Sequence, residues 1–255
     1  MALLELNHVT KKFGGVVAVD DFSHHLEDGG LYAIIGPNGA GKTTIFNLIT
    51  GIYSPTDGAI LFNGEAITGL KPHKIAQKGI ARTFQNIRLF PLLTVLDNVR
   101  TACHRYASYT IPEGFIPSPR RFREEKAITE RAHRLLEMVN LEGRAEEKSK
   151  NLPYGHQRRL EIARALAQEP KLLLLDEPAA GMNPDETQNL MDFIEKIHAD
   201  FHLTILLIEH HMEVVMGLAD NIVVLDFGRT IARGTPEEVQ ADPVVIKAYL
   251  GSEEG

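Results

Sequence analysis

Residues 36–43 read GPNGAGKT, and Thr44 follows. Every fixed position of the G-x-x-x-x-G-K-[ST] pattern is filled, and the flanks suit it. Leu31-Tyr32-Ala33-Ile34-Ile35 is a short apolar run of the kind that makes a buried strand. Thr44 to Thr50 carries apolar residues at helical spacing and stops at Gly51, a helix C-terminus signal. Strand, glycine-rich turn and helix in that order commit this part of the chain to an α/β fold with a phosphate site. Glycines let backbone N–H groups close around phosphate oxygens, and the helix N-terminus adds its positive end. The segment Gly36, Pro37, Asn38, Gly39, Ala40, Gly41, Lys42, Thr43 and Thr44 is therefore the expected nucleotide-binding loop. Lys42 is expected at the β- and γ-phosphates and Thr43 at a Mg²⁺ ion. The plain alternative is a glycine-rich turn that binds nothing, and the flanking elements weigh against it.

Composition sets the outer bounds. The chain of 255 residues is 44% hydrophobic and 24% charged, as soluble globular proteins are, and suffices for one large domain or two lobes. A single cysteine, Cys103, excludes an internal disulfide and a cysteine-based metal cluster. The opening MALLELNHVT lacks the features of a signal peptide, and no window holds the ~18 consecutive apolar residues of a membrane span. A formal net charge of −7 argues against a nucleic-acid binder held by bulk phosphate attraction. Any membrane role is expected to come through a partner.

Three zones follow along the chain. Residues 3 to about 30 and 59 to 63 look like short strands, with turn chemistry at Asp28-Gly29-Gly30 and Asn63-Gly64. Roughly 86 to 165 reads helical: from Arg121 to Asn140, Ile128, Ala132, Leu135, Leu136 and Val139 repeat at helical spacing. The prolines between Ile111 and Pro119 mark a loop before it. In the third zone, the apolar runs Leu172–Leu175, Leu203–Ile208 and Ile222–Leu225 alternate with helical segments, which predicts a parallel sheet with crossover helices.

The first of those runs leads straight into Asp176-Glu177-Pro178. Asp176 is placed to hold Mg²⁺, directly or through water. Glu177, as the next residue, is expected to point away from Asp176 and to polarise an attacking water. An acidic turn is the plain alternative. Paired with a phosphate loop, two carboxylates at a buried strand end predict ATP hydrolysis.

At this point the sequence resembles the ATP-binding subunits of ABC transporters, and the resemblance covers nearly the whole chain. Asn151 to Leu160, reading NLPYGHQRRL, looks like the family signature. Thr83-Phe84-Gln85 looks like the Q-loop, which implies that Gln85 senses Mg²⁺ and water. Ile208-Glu209-His210 ends a strand as the switch histidine does, which implies a γ-phosphate contact for His210. Phe13 sits where the family places an aromatic ring against adenine; the plain alternative is packing in a turn. Ala180-Gly181-Met182-Asn183 takes the D-loop position. His210 and His211 are adjacent, and alternation along a strand end is expected to turn them apart, leaving His211 a bystander.

The departures from the family pattern matter. Where the signature usually reads LSGGQ it reads LPYGH here, so Pro153 replaces the serine that bonds a γ-phosphate across the dimer. Gly155 keeps the position where backbone approaches phosphate, with a helix expected to start near His156. The D-loop aspartate is Asn183. Stretches 82–98, 151–166, 176–184 and 207–220 and the ending Val245 to Gly251 resemble the ATPases of branched-chain amino acid importers, which share the Tyr154-Gly155 signature and the Ala179-Ala180-Gly181 D-loop as departures.

The resemblance implies an α/β ABC-type P-loop ATPase with a mixed or parallel core sheet, an N-terminal antiparallel β subdomain and a helical subdomain. Residues 1–255 would form one ABC domain: 1–85 and 166–255 the core and β subdomain, 86–165 the helical part. It implies ATP and Mg²⁺ as cofactors and a second ATPase subunit, identical or a close paralogue, facing head to tail. It also implies two membrane permeases contacting a groove near Gln85, Leu89 and Phe90, a periplasmic substrate-binding protein engaged indirectly, and a peripheral place on the cytoplasmic face of the inner membrane. The alternatives are a lipid or lipopolysaccharide exporter ATPase and a soluble ABC ATPase of nucleic-acid metabolism. The second is disfavoured by the single phosphate loop and the negative charge.

Overall fold

The computed structural model describes residues 2–107 and 118–250. Contacts divide the chain into two units, Met1–Gln85 with Pro170–Gly255, and Asn86–Glu169. In chain order the first unit contains β1 (Ala2–Phe13), β2 (Val16–Glu27), β3 (Leu31–Ile35), α1 (Lys42–Ile49), β4 (Asp57–Phe62), β5 (Glu65–Ala66), α2 (Pro72–Gln77) and β6 (Ile80–Arg82). The second unit contributes α3 (Val95–Cys103), α4 (Pro119–Met138) and α5 (Tyr154–Leu166). The first unit resumes with β7 (Leu172–Asp176), α6 (Pro184–Phe201), β8 (Thr204–Ile208), α7 (Met212–Leu218), β9 (Asn221–Asp226), β10 (Arg229–Gly234), α8 (Pro236–Ala241) and α9 (Pro243–Leu250).

Two sheets build the first unit. One is antiparallel, in the order β2-β1-β4-β5; the other runs β10-β9-β3-β8-β7-β6 and is parallel except for the β9–β10 pair. All five residues of both β7 and β8 are buried, which explains their unbroken apolar sequence: a central parallel strand has no solvent face. The register aligns Asp176 with Ile208 and Ile208 with Ile34. The carboxyl ends of β3, β8, β7 and β6 therefore lie side by side. That edge is where an open α/β sheet receives ligands. Ile45, Phe46 and Ile49 of α1 bury into one core with Leu4, Phe22 and Phe62 of the antiparallel sheet and Ile34, Leu174 and Ile208 of the parallel one.

The short strands expected before residue 30 are in fact two strands of twelve residues. Register shifts between Leu6 and Val9, with His8 at φ 52 and Asp21 at φ 51, break the alternation that would have revealed their length. At the expected Asn63-Gly64 turn both residues take positive φ, 51 and 73, as a tight hairpin requires.

In the second unit α4 begins at Pro119, two residues before the expected start, because the Ser118 side chain caps it and proline suits a first helical position. Residues 111–117 of the expected loop, and Gly251, lie outside the described residues. The unit extends to Glu169 because the Gln168 and Glu169 N–H groups still bond to Ala165 and Leu166 of α5, and Arg131 pairs with Glu169. Among the described residues no helix is long and apolar enough to cross a membrane.

Candidate nucleotide site

The loop from Gly36 to Gly41 leaves β3 and enters α1. Two of its glycines are forced. At Gly36 (φ 146) a Cβ would stand 2.1 Å from the Leu225 carbonyl oxygen, and at Gly41 (φ 104) one would stand 2.4 Å from that of Ala18. No side chain caps the first turn of α1, so its N–H groups are left for an anion. Lys42 is buried, and its Nζ donates to the carbonyls of Gly36 at 2.6 Å and Pro37 at 3.0 Å. Burial lowers its pKa, opposed by the negative charges of Glu177 and Asp176. A cation thus sits beside two carboxylates from another strand, within reach of any phosphate on this loop.

Asp176 closes β7, and sequence reading missed what holds it. Arg82, at the end of β6, donates through Nη2 to Asp176 Oδ2 at 2.7 Å and through Nη1 to Asn47 Oδ1 at 2.7 Å. Both side chains of the ion pair are nearly fully buried, and the guanidinium lies over the rings of Phe46 and Phe84, 5.4 and 5.2 Å from their centroids. One group therefore ties together α1, the end of β7 and the segment leading to Gln85. Removing one partner of a buried pair costs about 3–5 kcal/mol, because the other charge stays buried alone. Arg82→Met is expected to lower the melting temperature by on the order of 10 °C in calorimetry. The double variant Arg82→Met/Asp176→Leu should recover part of that loss; a melting point unchanged in Arg82→Met would show the pair to be idle.

Glu177 follows the end of β7 with φ 45, a left-handed conformation rarely adopted by a side-chain-bearing residue. Its direction comes from this turn, fixed by Glu177 N–H donating to the Ile208 carbonyl, rather than from strand alternation. Gln85 Nε2 donates to Glu177 Oε2 at 2.7 Å, and His210 Nδ1 lies 3.6 Å from the same oxygen. The structure thus brings Glu177, Gln85 and His210 together.

The expectation that His210 and His211 face apart is corrected. β8 ends at Ile208, so strand alternation no longer applies, and the two rings lie side by side, centroids 4.2 Å apart and tilted by 36°. Glu209, fully buried and unremarked in the sequence, organises this turn. It accepts from the N–H groups of Ala179 (2.9 Å), His210 (3.0 Å) and His211 (3.3 Å), which also joins the turn to the start of the D-loop. Asn183 caps α6 in a reciprocal arrangement with Glu186, a role that aspartate would fill equally well.

Phe13 ends β1 and is 41% exposed rather than packed away in the turn. Tyr53 meets it edge-on at 5.1 Å, and Lys11 Nζ lies 5.0 Å from its centroid. Across the hairpin, Phe13 pairs with Val16, two residues from the Ala18 that abuts Gly41.

Within the second unit, Pro153 is the N-cap of α5, which starts at Tyr154, two residues before the expected His156. No side chain caps this helix, and a Cβ at Gly155 would meet nothing within 4 Å. Gln157 Nε2 donates to the Leu152 carbonyl at 2.8 Å and holds the segment in place. The fully buried Arg158 bonds Glu161, which accepts the Arg88 N–H. The Asn98 and Ser149 side chains fix the Phe90 backbone, while the Phe90 ring stays 48% exposed. Leu92 and Leu93 beside it are exposed as well, and Leu89 is half-buried.

A phosphate loop, a strand ending in Asp-Glu and a glutamine and a histidine converging on that glutamate belong together in one class, and the sequence matches the ABC transporter family over residues 19–180. The chain belongs to that family and is an ATP-hydrolysing cassette with its α/β fold. Residues 229–255 also match the branched-chain amino acid ATP-binding cassette transporter family. Among relatives, the chain is 47% identical over 249 residues to the high-affinity branched-chain amino acid transport ATP-binding protein BraF of Pseudomonas aeruginosa, with 98% of each chain covered. It is 44% identical to LivG of Escherichia coli K12, with the same coverage. The crystal structure of an ATP-binding cassette of an ABC transporter in its ADP conformation matches at a TM-score of 0.85 and 31% identity, covering 98% of this chain and 99% of that one. A dimeric post-hydrolysis cassette bound to ADP and Pi matches at 0.76 and 26%, covering 91% and 98%.

Proposed function

We propose that this chain is the ATP-hydrolysing subunit of an importer of branched-chain amino acids. The observation that carries the reading is likeness over 98% of the chain to transport subunits of that class, extending into the C-terminal segment. In this reading Phe13 stacks on adenine. The loop from Gly36 to Thr44 wraps the phosphates, and Lys42 leaves the Gly36 and Pro37 carbonyls for the β- and γ-phosphates. Thr43, Asp176 and the amide oxygen of Gln85 form an all-oxygen donor set that fits Mg²⁺. Bound there, the ion neutralises phosphate charge. Glu177 takes a proton from the attacking water as the bond between the γ-phosphorus and the bridging oxygen of ADP breaks. Gln85 aims Glu177, and His210 contacts the γ-phosphate.

Two such cassettes face head to tail, each ATP lying between one phosphate loop and the partner's Leu152–His156 segment. Phe90, Leu92 and Leu93 offer an exposed apolar patch on a backbone that buried polar groups hold still, which suits a permease helix. The subunit then works from the cytoplasmic face of the inner membrane, beneath two permeases served by a periplasmic binding protein. The test is reconstitution in liposomes with two permeases and a periplasmic binding protein of a branched-chain amino acid importer. ATP-driven leucine uptake is expected, and uptake indifferent to this subunit would overturn the reading.

The signature segment gives a separate prediction. Gly155 has a clear space for a side chain and unstrained φ, so Gly155→Asp should fold normally. It puts a negative charge where the partner's γ-phosphate would approach. Turnover should fall to background while ATP binding to the single chain persists. Pro153→Ser adds a neutral donor worth ~1 kcal/mol, so turnover should stay within about tenfold of wild type. Normal hydrolysis by Gly155→Asp would show that residues 152–156 do not act across a dimer.

A further inference from the structure

A cavity lies on the flank of the phosphate loop. Its volume is about 470 Å³, within the ~300–1,000 Å³ usual for small-molecule sites, and its walls include none of Lys42, Thr43 or Thr44. It is bounded by the loop residues Pro37 to Ala40, by the β9–β10 turn and by α9. Ala40, Phe227, Ile231 and Val244 supply apolar surface, and Phe227 is 86% exposed on a left-handed turn, an unusual place to leave a phenyl ring bare. Two opposite charges line the same space, Asp226 and Lys247. Among the described residues they form no ion pair with each other, and neither side chain has another hydrogen-bonded or ionic partner.

We infer that this cavity binds a free α-amino acid with an apolar side chain. Apolar surface beside an unpaired carboxylate and an unpaired ammonium in one cavity is complementary to a zwitterion with an apolar side chain. The ligand's ammonium goes to Asp226, its carboxylate to Lys247, and its side chain covers Phe227, Ile231 and Val244. A purely apolar ligand would leave both charges unused, and a ligand of one charge would repel one of them. Because Lys247 is exposed, the pairing is weak and the affinity about millimolar.

The site is wired to the nucleotide loop. The Gly228 N–H donates to the Ala40 carbonyl at 3.0 Å, tying the β9–β10 turn to the loop's floor. Tyr249 of α9 is half-buried, with its hydroxyl against the Gly36 backbone. The cavity is formed by the arrangement in which Lys42 rests on the Gly36 and Pro37 carbonyls. A ligand that grips this arrangement opposes the one in which Lys42 reaches a phosphate, so amino acid and ATP should weaken each other's binding by the same factor. That this amino acid is also the cargo rests on the import reading; the binding itself does not.

The experiment is titration calorimetry of the full chain with L-leucine, leucinamide, 4-methylpentanoate and L-lysine. Saturable leucine binding is expected, with each of the other three about threefold to fivefold weaker. Asp226→Asn and Lys247→Gln should each weaken leucine binding about threefold to fivefold while leaving leucine-free ATPase activity unchanged. Saturating leucine should raise the ATP Kd severalfold in wild type and not in either variant. No saturable binding, equal binding of leucinamide or methylpentanoate, or binding indifferent to both substitutions would overturn the proposal. So would a change in self-association in the variants without leucine binding, which would make a second copy the occupant. Leucine binding here combined with failed leucine uptake in liposomes would remove the import reading and leave this site standing.

Discussion

Lys42→Ala is expected to weaken nucleotide capture sharply and to stop hydrolysis. Hydrogen bonds to a charged group contribute about 1.5–3 kcal/mol, so losing the only cation of this loop should weaken ATP binding by on the order of 10–100-fold. Hydrolysis should fall to background, since the developing charge on the transferred phosphoryl group loses its stabiliser as well. The structure adds a second cost. Lys42 is buried beside Glu177 and Asp176, and its ammonium satisfies the Gly36 and Pro37 carbonyls. The alanine variant leaves those carboxylates without that counter-charge, so a modest loss of stability should accompany the loss of binding. Lys42→Arg keeps the charge but not the compact ammonium, and should retain part of the stability while still binding ATP poorly. Equilibrium binding of a fluorescent ATP analogue, read beside thermal unfolding, separates the two effects. An ATP affinity unchanged in Lys42→Ala would mean that residues 36–44 do not hold phosphate.

How much of this was legible in the sequence depended on whether the constraint was local. Gly36 and Gly41 had to be glycine because another backbone carbonyl stands where their Cβ would be, and such a constraint surfaces as a motif. Leu172 to Leu175 could be read as a buried strand because both faces are covered. β1 and β2 were legible only as strands, not in their length, since bulges at His8 and Asp21 shift the alternation. Arg82 gave no signal: its partner Asp176 lies 94 positions further on, and an arginine before Thr83 looks like a surface charge. Glu209 was hidden for the same reason: beside His210 it drew no reading of its own, yet it is the buried acceptor that shapes the turn. His210 and His211 show the limit of a periodicity rule, which lapses one residue past the strand to which it applies. Asn183, in contrast, departs from the family's aspartate and serves as a helix cap.

Glu177→Gln should separate binding from chemistry. The substitution keeps the size of the side chain and leaves the Arg82-held Asp176 untouched, so the fold and ATP binding should both survive. What changes is the set of donors and acceptors. Gln85 already donates its Nε2 N–H to Glu177 Oε2 at 2.7 Å. A glutamine at 177 can answer that donor only with its own Oε1, which turns its Nε2 toward the side where a water would be polarised. An amide nitrogen there has no lone pair for a proton. Turnover should therefore fall ~10²-fold or more, the scale of a positioned general base. ATP-bound cassettes that cannot hydrolyse should accumulate as closed pairs, seen as an ATP-dependent shift to higher mass in gel filtration. Gln85→Ala is the companion case: the carboxylate remains but loses its aim, so turnover should drop by less than in Glu177→Gln, with no trapped dimer. Near wild-type turnover in Glu177→Gln would take the base away from Glu177, and with it the reason for holding a glutamate at φ 45 beside a glutamine and a histidine.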